Sequence, residues 1–536
     1  MVAVETPQDS FRRIYTHPLL QGCVLVAIAL TIAMVMQSSG RFPDPDSFYH
    51  AGMAELAAAG QFPHRFPWLD LTTLRGAYAD LHLVYHLALV PFVAFFGPMA
   101  GIRIATIVAI GVLTIACFAL LRRLAASGAF ACTLLLLGSS AFMFRVNLAK
   151  AQGFAFVALF LGLIALTRRS RTGVFLAALF ATWISGHWPV FAAAVATFAF
   201  AHIFTTVIGC PTAWRTALRA LRDAGGVVAS AVLGIAAGFI VNPYFPNVLA
   251  VAKQQIVDIA LVGGGAEANV GSEWGALPAG DLFRAVGFLT PLVLIAIVGT
   301  VALILRLARS SEIRDRDAAT HAIMFGFLTL AFTALTMRSR RHIEFLVPLA
   351  VAFIAVGWQP IIAWFWPPRL QVGWRRPGAA RRSLSTCVLL LATVGFAIGS
   401  GRALAAQRQY FVNGLPSDYL AAEATWIRDH VPAGALVFHA DWDDFPPLFL
   451  NDRTHRYLVG LDPRFALFAD AERFRTWQAI SRGEIAQSSS AIVDGFDATI
   501  AVVAHQQEGL QKQLAADPNA TIAFDGRDAK VYVLSR

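Results

Sequence analysis

Charge is what this 536-residue sequence has least of. Only 14% of its residues are Asp, Glu, Lys or Arg, 57% are hydrophobic, and mean hydropathy is +0.60. A soluble domain carries about 25% charged residues, so a wholly water-soluble enzyme is excluded and the composition reads as a polytopic membrane protein. Cysteine is scarce too. Cys23, Cys117, Cys132, Cys210 and Cys387 form no CxxC or other metal-type spacing and four sit in apolar runs, which excludes a disulfide scaffold and a zinc site. Internal repeats and low-complexity tracts are absent. No small-residue cleavage site follows the apolar run from Leu19 to Met36, so that run reads as a retained anchor helix rather than a signal peptide.

The charge that is present has a pattern. The formal net charge is +10, supplied almost entirely by Arg in clusters between apolar segments, as in cytoplasmic loops. Nucleic acid is therefore not an expected partner; membrane lipids are. Apolar runs of spanning or near-spanning length lie near 19–36, 101–121, 127–144, 153–167, 172–186, 189–207, 225–242, 286–307, 321–337, 343–365 and 384–401. A twelfth, 82–97, is shorter. If it does not cross, Arg12–Arg13, Arg122–Arg123, Arg168–Arg169–Arg171, Arg215/Arg219/Arg222, Arg306/Arg309/Arg314/Arg316 and Arg369/Arg375/Arg376/Arg381/Arg382 all fall on one side.

The expected fold class is thus a polytopic all-α membrane domain, 1–401, with about eleven spans plus a re-entrant or juxtamembrane helix. A small extracytoplasmic α/β domain, 402–536, follows. Strand-like runs at 435–439, 456–460, 498–504 and 520–534 alternate there with helical stretches such as 418–430. Long polar outer loops are expected at 37–81 and 243–285. The N-terminus falls on the cytoplasmic side and the C-terminal domain outside; the Arg bias and the Ala/Gly richness suggest a bacterial inner membrane.

All the polar clusters fall on that outer side: "DPDSFYH" (44–50), "YADLHLVYH" (78–86), "FRVNLAK" (144–150), "SGHWP" (185–189), "GSEWGALP" (271–278), "RSRRHIEF" (338–345) and "HADWDDFP" (439–446). Ionisable groups at membrane depth are costly and usually functional. Asp44 and Asp46 with His50 suit a general base or a metal site, against the simpler reading of Asp46 as a helix N-cap. Arg338, Arg340, Arg341 and His342 suit a phosphate clamp as well as they suit a headgroup anchor, and Arg145 and Lys150 extend that set. Glu273 and Trp274 lie in a Gly-rich loop of the kind that closes on substrate. His82 and His86 share a helix face. Trp442, Asp443 and Asp444 end a strand, where α/β domains place their sites.

Asp46-Ser47-Phe48-Tyr49-His50 is similar to the archaeal D-x-W-Y-H signature of oligosaccharyltransferase catalytic subunits. "ADWDDF" (440–445) resembles their W-W-D-Y-G motif, with Pro446 where the last glycine belongs. The chain therefore resembles the GT-C integral membrane glycosyltransferases that use polyprenyl-phosphate sugars. It departs from the oligosaccharyltransferase pattern in having no D-x-D or E-x-D in the second outer segment and no T-I-x-E loop motif. The resemblance implies a polyprenyl-phosphate-linked sugar donor and a glycan, lipid or protein acceptor touched by Trp442 and its neighbours. It also implies a divalent metal, Mg or Mn, on Asp46, with His50 a further ligand. A lipid-linked-sugar flippase and a non-enzymatic envelope assembly factor are the alternatives; the first predicts polar residues distributed through the spans, the second that changes in "DPDSFYH" and "RSRRH" are harmless while disruption of 402–536 is not.

Overall fold

A computed structural model describes residues 17–209, 214–261, 271–309, 312–361 and 379–536. Arg12–Arg13, Cys210, Gly263–Gly265, Arg369, Arg375 and Arg376 lie outside the described residues.

Among them, seven helices are long and apolar enough to cross a membrane: Pro18–Gln37, Pro98–Ala125, Trp188–Gly209, Trp214–Ile240, Ala279–Arg309, Asp315–Arg338 and Arg340–Ile361. Ala129–Leu137 and Ser140–Asn147 make an eighth if their 69° bend is counted as one broken span. The bend has a local cause. Ser139 adopts an extended backbone (φ −76°, ψ 106°), ends one helix and caps the next by accepting the Phe142 N–H. Leu83–Phe96 has 14 residues, a rise of about 21 Å against a hydrocarbon core of about 30 Å. Gln152–Thr167 and Arg171–Ile184, expected as spans, are nearly as short. Length and hydropathy thus support seven or eight crossings; of the further ones expected from sequence, 153–167 and 172–186 rest on helices below this length, and 384–401 falls on the helix Ala379–Val412.

Helix contacts in the apolar region are close. A Cβ on Gly299 would stand 1.8 Å from the Gly357 carbonyl oxygen, so helices Thr290–Arg309 and Ile343–Gly357 touch through backbone.

The C-terminal part is a five-stranded sheet with β1 Leu436–His439, β2 Arg456–Tyr457, β3 Ile500–Ala504, β4 Ala520–Asp525 and β5 Ala529–Leu534, in the order β2-β1-β3-β5-β4. β1 pairs in parallel with β2 and β3, while β5 runs antiparallel to β3 and β4. The helix Ala421–His430 falls inside the expected 418–430.

This domain is fused to the first outer loop. Trp68 O accepts the Tyr457 N–H at 2.8 Å, and Asp70 N–H donates to Tyr457 O at 2.7 Å, so the loop extends the sheet beyond β2. Phe449, wholly buried, packs on Tyr49, Phe66 and Trp68 of the loop, with ring centroids 6.0, 5.4 and 5.2 Å apart. Arg456 meets Asp70 at 2.6 Å and Arg453 pairs with Glu55. Loop and outer domain therefore share one core, which fixes residues 44–58 relative to β1. Truncating the ring at its centre, Phe449→Ala, is expected to cost about 3–5 kcal/mol. The check is a lowered thermal unfolding midpoint and faster proteolysis of the outer domain in detergent.

Candidate active site

The first outer loop is set by its entry. Phe42 and Leu415 exchange two backbone hydrogen bonds, 2.8 and 2.7 Å. The approach requires glycine at 414, where a Cβ would lie 2.5 Å from the Phe42 carbonyl. Pro45 follows, and the helix Asp46–Ala58 begins. The capping carboxylate is that of Asp44, whose Oδ1 accepts the Asp46 N–H at 3.0 Å. Asp46 is the first helical residue rather than the N-cap, so the capping explanation of that acid belongs to its neighbour.

Both carboxylates converge on Lys150. Its Nζ lies 2.5 Å from Asp44 Oδ2 and 2.7 Å from Asp46 Oδ2, with the lysine side chain only 10% exposed. The lysine stands after the bent helix pair, between Ser140–Asn147 and Gln152–Thr167. Burial pulls the Lys150 ammonium toward deprotonation, but the Asp44 and Asp46 charges outweigh it and push its pKa up. Lys150 is therefore a fixed cation.

A second ionic group adjoins it. Arg145 is held by Glu273 at 2.6 Å and by the fully buried Glu344 at 2.9 Å. Glu273 also reaches Arg341 at 3.3 Å. Burial drives the Glu273 carboxyl up, yet Arg341, Arg145 and Lys150 together hold it well below the usual carboxylate range. Trp274 lies within cation–π distance of two guanidinium groups, Arg341 at 4.9 Å and Arg464 at 4.6 Å. Three cations thus meet four carboxylates, Asp44, Asp46, Glu273 and Glu344. Among the described residues, the buried Nη2 of Arg145 has no hydrogen-bond partner.

The outer domain adds Asp443. Burial raises its pKa well above the usual value, and the charges of Asp441, Asp46 and Asp44 raise it further. Asp444 is buried beneath Tyr419, whose hydroxyl donates to it at 3.5 Å. Trp442 packs against the core of the outer domain.

The histidines form a separate buried chain. His86 Nδ1 lies 2.6 Å from Asp80 Oδ2, and its Nε2 lies 2.8 Å from His50 Nδ1. His82 contacts the Ile184 carbonyl at 3.2 Å.

Of the sequence-predicted residues, Asp44, Asp46, Lys150, Arg145, Glu273, Trp274, Arg341 and Asp443 come together. Arg338 and Arg340 are exposed; Arg340 contacts the Ala276 carbonyl, and His342 that of Ser339. Sequence reasoning quoted the segments that hold Glu344, Asp80 and His187 without giving those residues a role, and left out Arg464. An acid inside an apolar run marks Glu344, and a carboxylate two residues before a His pair marks Asp80; Arg464 carries no such signal.

The divalent metal expected on Asp46 and His50 does not fit these residues as they stand. Lys150 occupies the carboxylate oxygens that would face the ion, and His50 Nδ1 is turned to His86. Among the described residues no three His, Cys, Asp or Glu side chains are placed to hold a metal. Beside the cluster, His187 Nε2 lies 3.6 Å from Glu344 Oε1. An apolar cleft opens there between four helices, lined by Ala155, Ala177, Ala181, Phe191 and Phe345.

Comparison with known proteins places the fold. No protein-family model and no curated protein sequence matches the chain. Solved structures do. The oligosaccharyltransferase of Archaeoglobus fulgidus in its apo form superposes with a TM-score of 0.62 at 13% identity, over 98% of this chain and 75% of that one. The same protein tethered to an acceptor peptide containing the NVT sequon gives 0.59, at 13% identity over 98% and 74%. A mycobacterial arabinofuranosyltransferase, AftD, gives 0.53 at 14% identity, over 98% of this chain and 40% of that one. The structural neighbours are GT-C glycosyltransferases, and this chain has their fold.

The Arg145–Glu344 pair generates a stability prediction. Glu344→Leu leaves Arg145 without its fully buried counter-ion and is expected to cost about 3–5 kcal/mol, whereas Arg145→Met with Glu344→Leu restores much of it. Thermal unfolding of the two variants in one detergent measures the difference.

Proposed function

We propose that this GT-C-folded chain is an inverting glycosyltransferase, taking a sugar from a polyprenyl-phosphate or pyrophosphate donor and passing it to an acceptor at the outer membrane face. The observation that carries the reading is the pair of adjoining ionic groups, Asp44, Asp46 and Lys150 beside Glu273, Arg145 and Arg341. Together they hold a carboxylate suited to take a proton and guanidinium groups suited to a phosphate.

The roles follow from exposure and charge. Asp46 is the more exposed of the two loop acids, 28% against 19% for Asp44, and receives the proton of the acceptor nucleophile. The nucleophile attacks the anomeric carbon from the face opposite the phosphate, a new glycosidic bond forms, and the bond from that carbon to the phosphate oxygen breaks. Charge grows on the departing phosphate. Arg341 and the unpartnered Nη2 of Arg145 meet that charge. The polyprenyl tail lies in the apolar cleft beside His187, which gives it contact with hydrocarbon rather than water.

The acceptor side is the outer domain. In the archaeal oligosaccharyltransferase an acceptor peptide is tethered. Here Asp443, whose carboxyl feels the charge of Asp46, and the neighbouring Trp442 present the acceptor to the base. Its class, glycan, lipid or protein, follows from what that surface binds. The Arg-rich segments around 122–123, 168–171 and 306–316 sit at the opposite helix ends, in keeping with an outward-facing cluster.

Two variants test the assignment in a transfer assay on membranes with matched protein levels. Asp46→Asn is expected to lower kcat by about 10²–10⁴-fold. Arg341→Ala is expected to lower kcat/KM by about 10²–10³-fold through the lost phosphate contact. Full activity of Asp46→Asn would remove the acid from the mechanism.

A further inference from the structure

We infer that Lys150 is the resident cation of the loop carboxylates, so that this centre works without a divalent metal. The inference deepens the transferase reading, on which its consequence for rate rests; the cation site itself does not.

Two carboxylates from one helix start are brought within 2.5 and 2.7 Å of a single ammonium. Lys150 is one of four lysines in the chain and comes from a segment about a hundred residues away. Mg²⁺ and Mn²⁺ bind through one or two carboxylates completed by water, at about 2.0–2.2 Å. Asp44 and Asp46 are such a pair, and the ammonium takes the space between them. A metal and this lysine cannot share those oxygens, because a divalent ion beside a buried ammonium meets full like-charge repulsion in a poorly screened site.

The substitution also changes the chemistry. Asp44, Asp46 and Lys150 sum to one net negative charge, whereas two carboxylates with a divalent cation sum to zero. The ammonium holds Asp46 in position and leaves the two carboxylates with a net negative charge that a metal-neutralised pair would lack. Phosphate stabilisation, the other service a metal gives, falls to Arg145 and Arg341. One centre thus divides the metal's work between a lysine on the acids and two arginines on the leaving group.

The test uses the full chain in nanodiscs, stripped with chelator and titrated with Mn²⁺, with bound ion read by EPR. The wild type is expected to show no site that depends on Asp44. Lys150→Ala is expected to gain one that disappears again in Asp44→Asn/Lys150→Ala, and Lys150→Gln serves where the alanine variant does not fold. Mn²⁺ binding by the wild type that is lost in Asp44→Asn would overturn the inference. A folded Lys150→Ala or Lys150→Gln variant that takes up no Mn²⁺ would overturn it equally. Transfer by the wild type in excess EDTA is the functional arm, and activity restored only by Mg²⁺ or Mn²⁺ also overturns it. No transfer under any condition counts against the transferase reading, while the EPR titration still decides the role of Lys150.

Discussion

Charge withdrawn from water must find its partner inside the protein. Arg145, Glu344 and Lys150 are buried or nearly so at the edge of an apolar helical bundle, where an isolated ion would cost several kcal/mol. Each is answered by opposite charge from a distant part of the sequence. Asp44 and Asp46 come from the first outer loop, Glu273 from the later loop, and Glu344 and Arg341 from the start of the membrane helix Arg340–Ile361. The need for neutralisation therefore ties four separate segments to one point. The bend at Ser139 serves the same end, since it directs the helix carrying Arg145, and Lys150 just beyond it, toward that point.

The outer domain belongs to the same arrangement. Its sheet is extended by residues 68–71, its Phe449 sits among the aromatic rings of the loop, and Gly414 lets Leu415 pair with Phe42. These contacts hold the helix beginning at Asp46 against the domain that carries Asp443. Asp443 and the loop acids are thereby carried on one shared core. Two acids of one site are pushed in opposite directions: burial and neighbouring carboxylates raise the pKa of Asp443, while Arg341, Arg145 and Lys150 overcome burial to lower that of Glu273.

Much of this was legible in the sequence. The apolar runs, the Arg bias between them and the strand alternation after residue 401 reported a membrane domain with a small α/β domain, because burial and charge placement are written directly in composition. The acids of "DPDSFYH" and the cations of "FRVNLAK" and "RSRRHIEF" stood out because charge beside hydrocarbon is rare. What the sequence did not disclose was pairing. Nothing in "RSRRHIEF" distinguishes Arg341, which meets Glu273, from the exposed Arg338 and Arg340. Lys150 read as a further phosphate ligand, while its location between Asp44 and Asp46 depends on a long-range contact that spacing does not encode. His50 read as a metal ligand because its partner His86 lies 36 residues on. Helices of 14 and 16 residues were counted as spans because hydropathy alone does not report where a helix ends.

The account stands on one spatial claim, that a lipid phosphate is received between Arg145 and Arg341 beside the loop acids. An experimental structure of the full chain in a nanodisc containing a polyprenyl phosphate measures this directly. The account predicts phosphate density within about 4 Å of both guanidinium groups, a charge-assisted contact distance, with the tail running into the cleft beside His187. A phosphate bound instead at the opposite helix ends, among Arg122, Arg169 and Arg306, would contradict it.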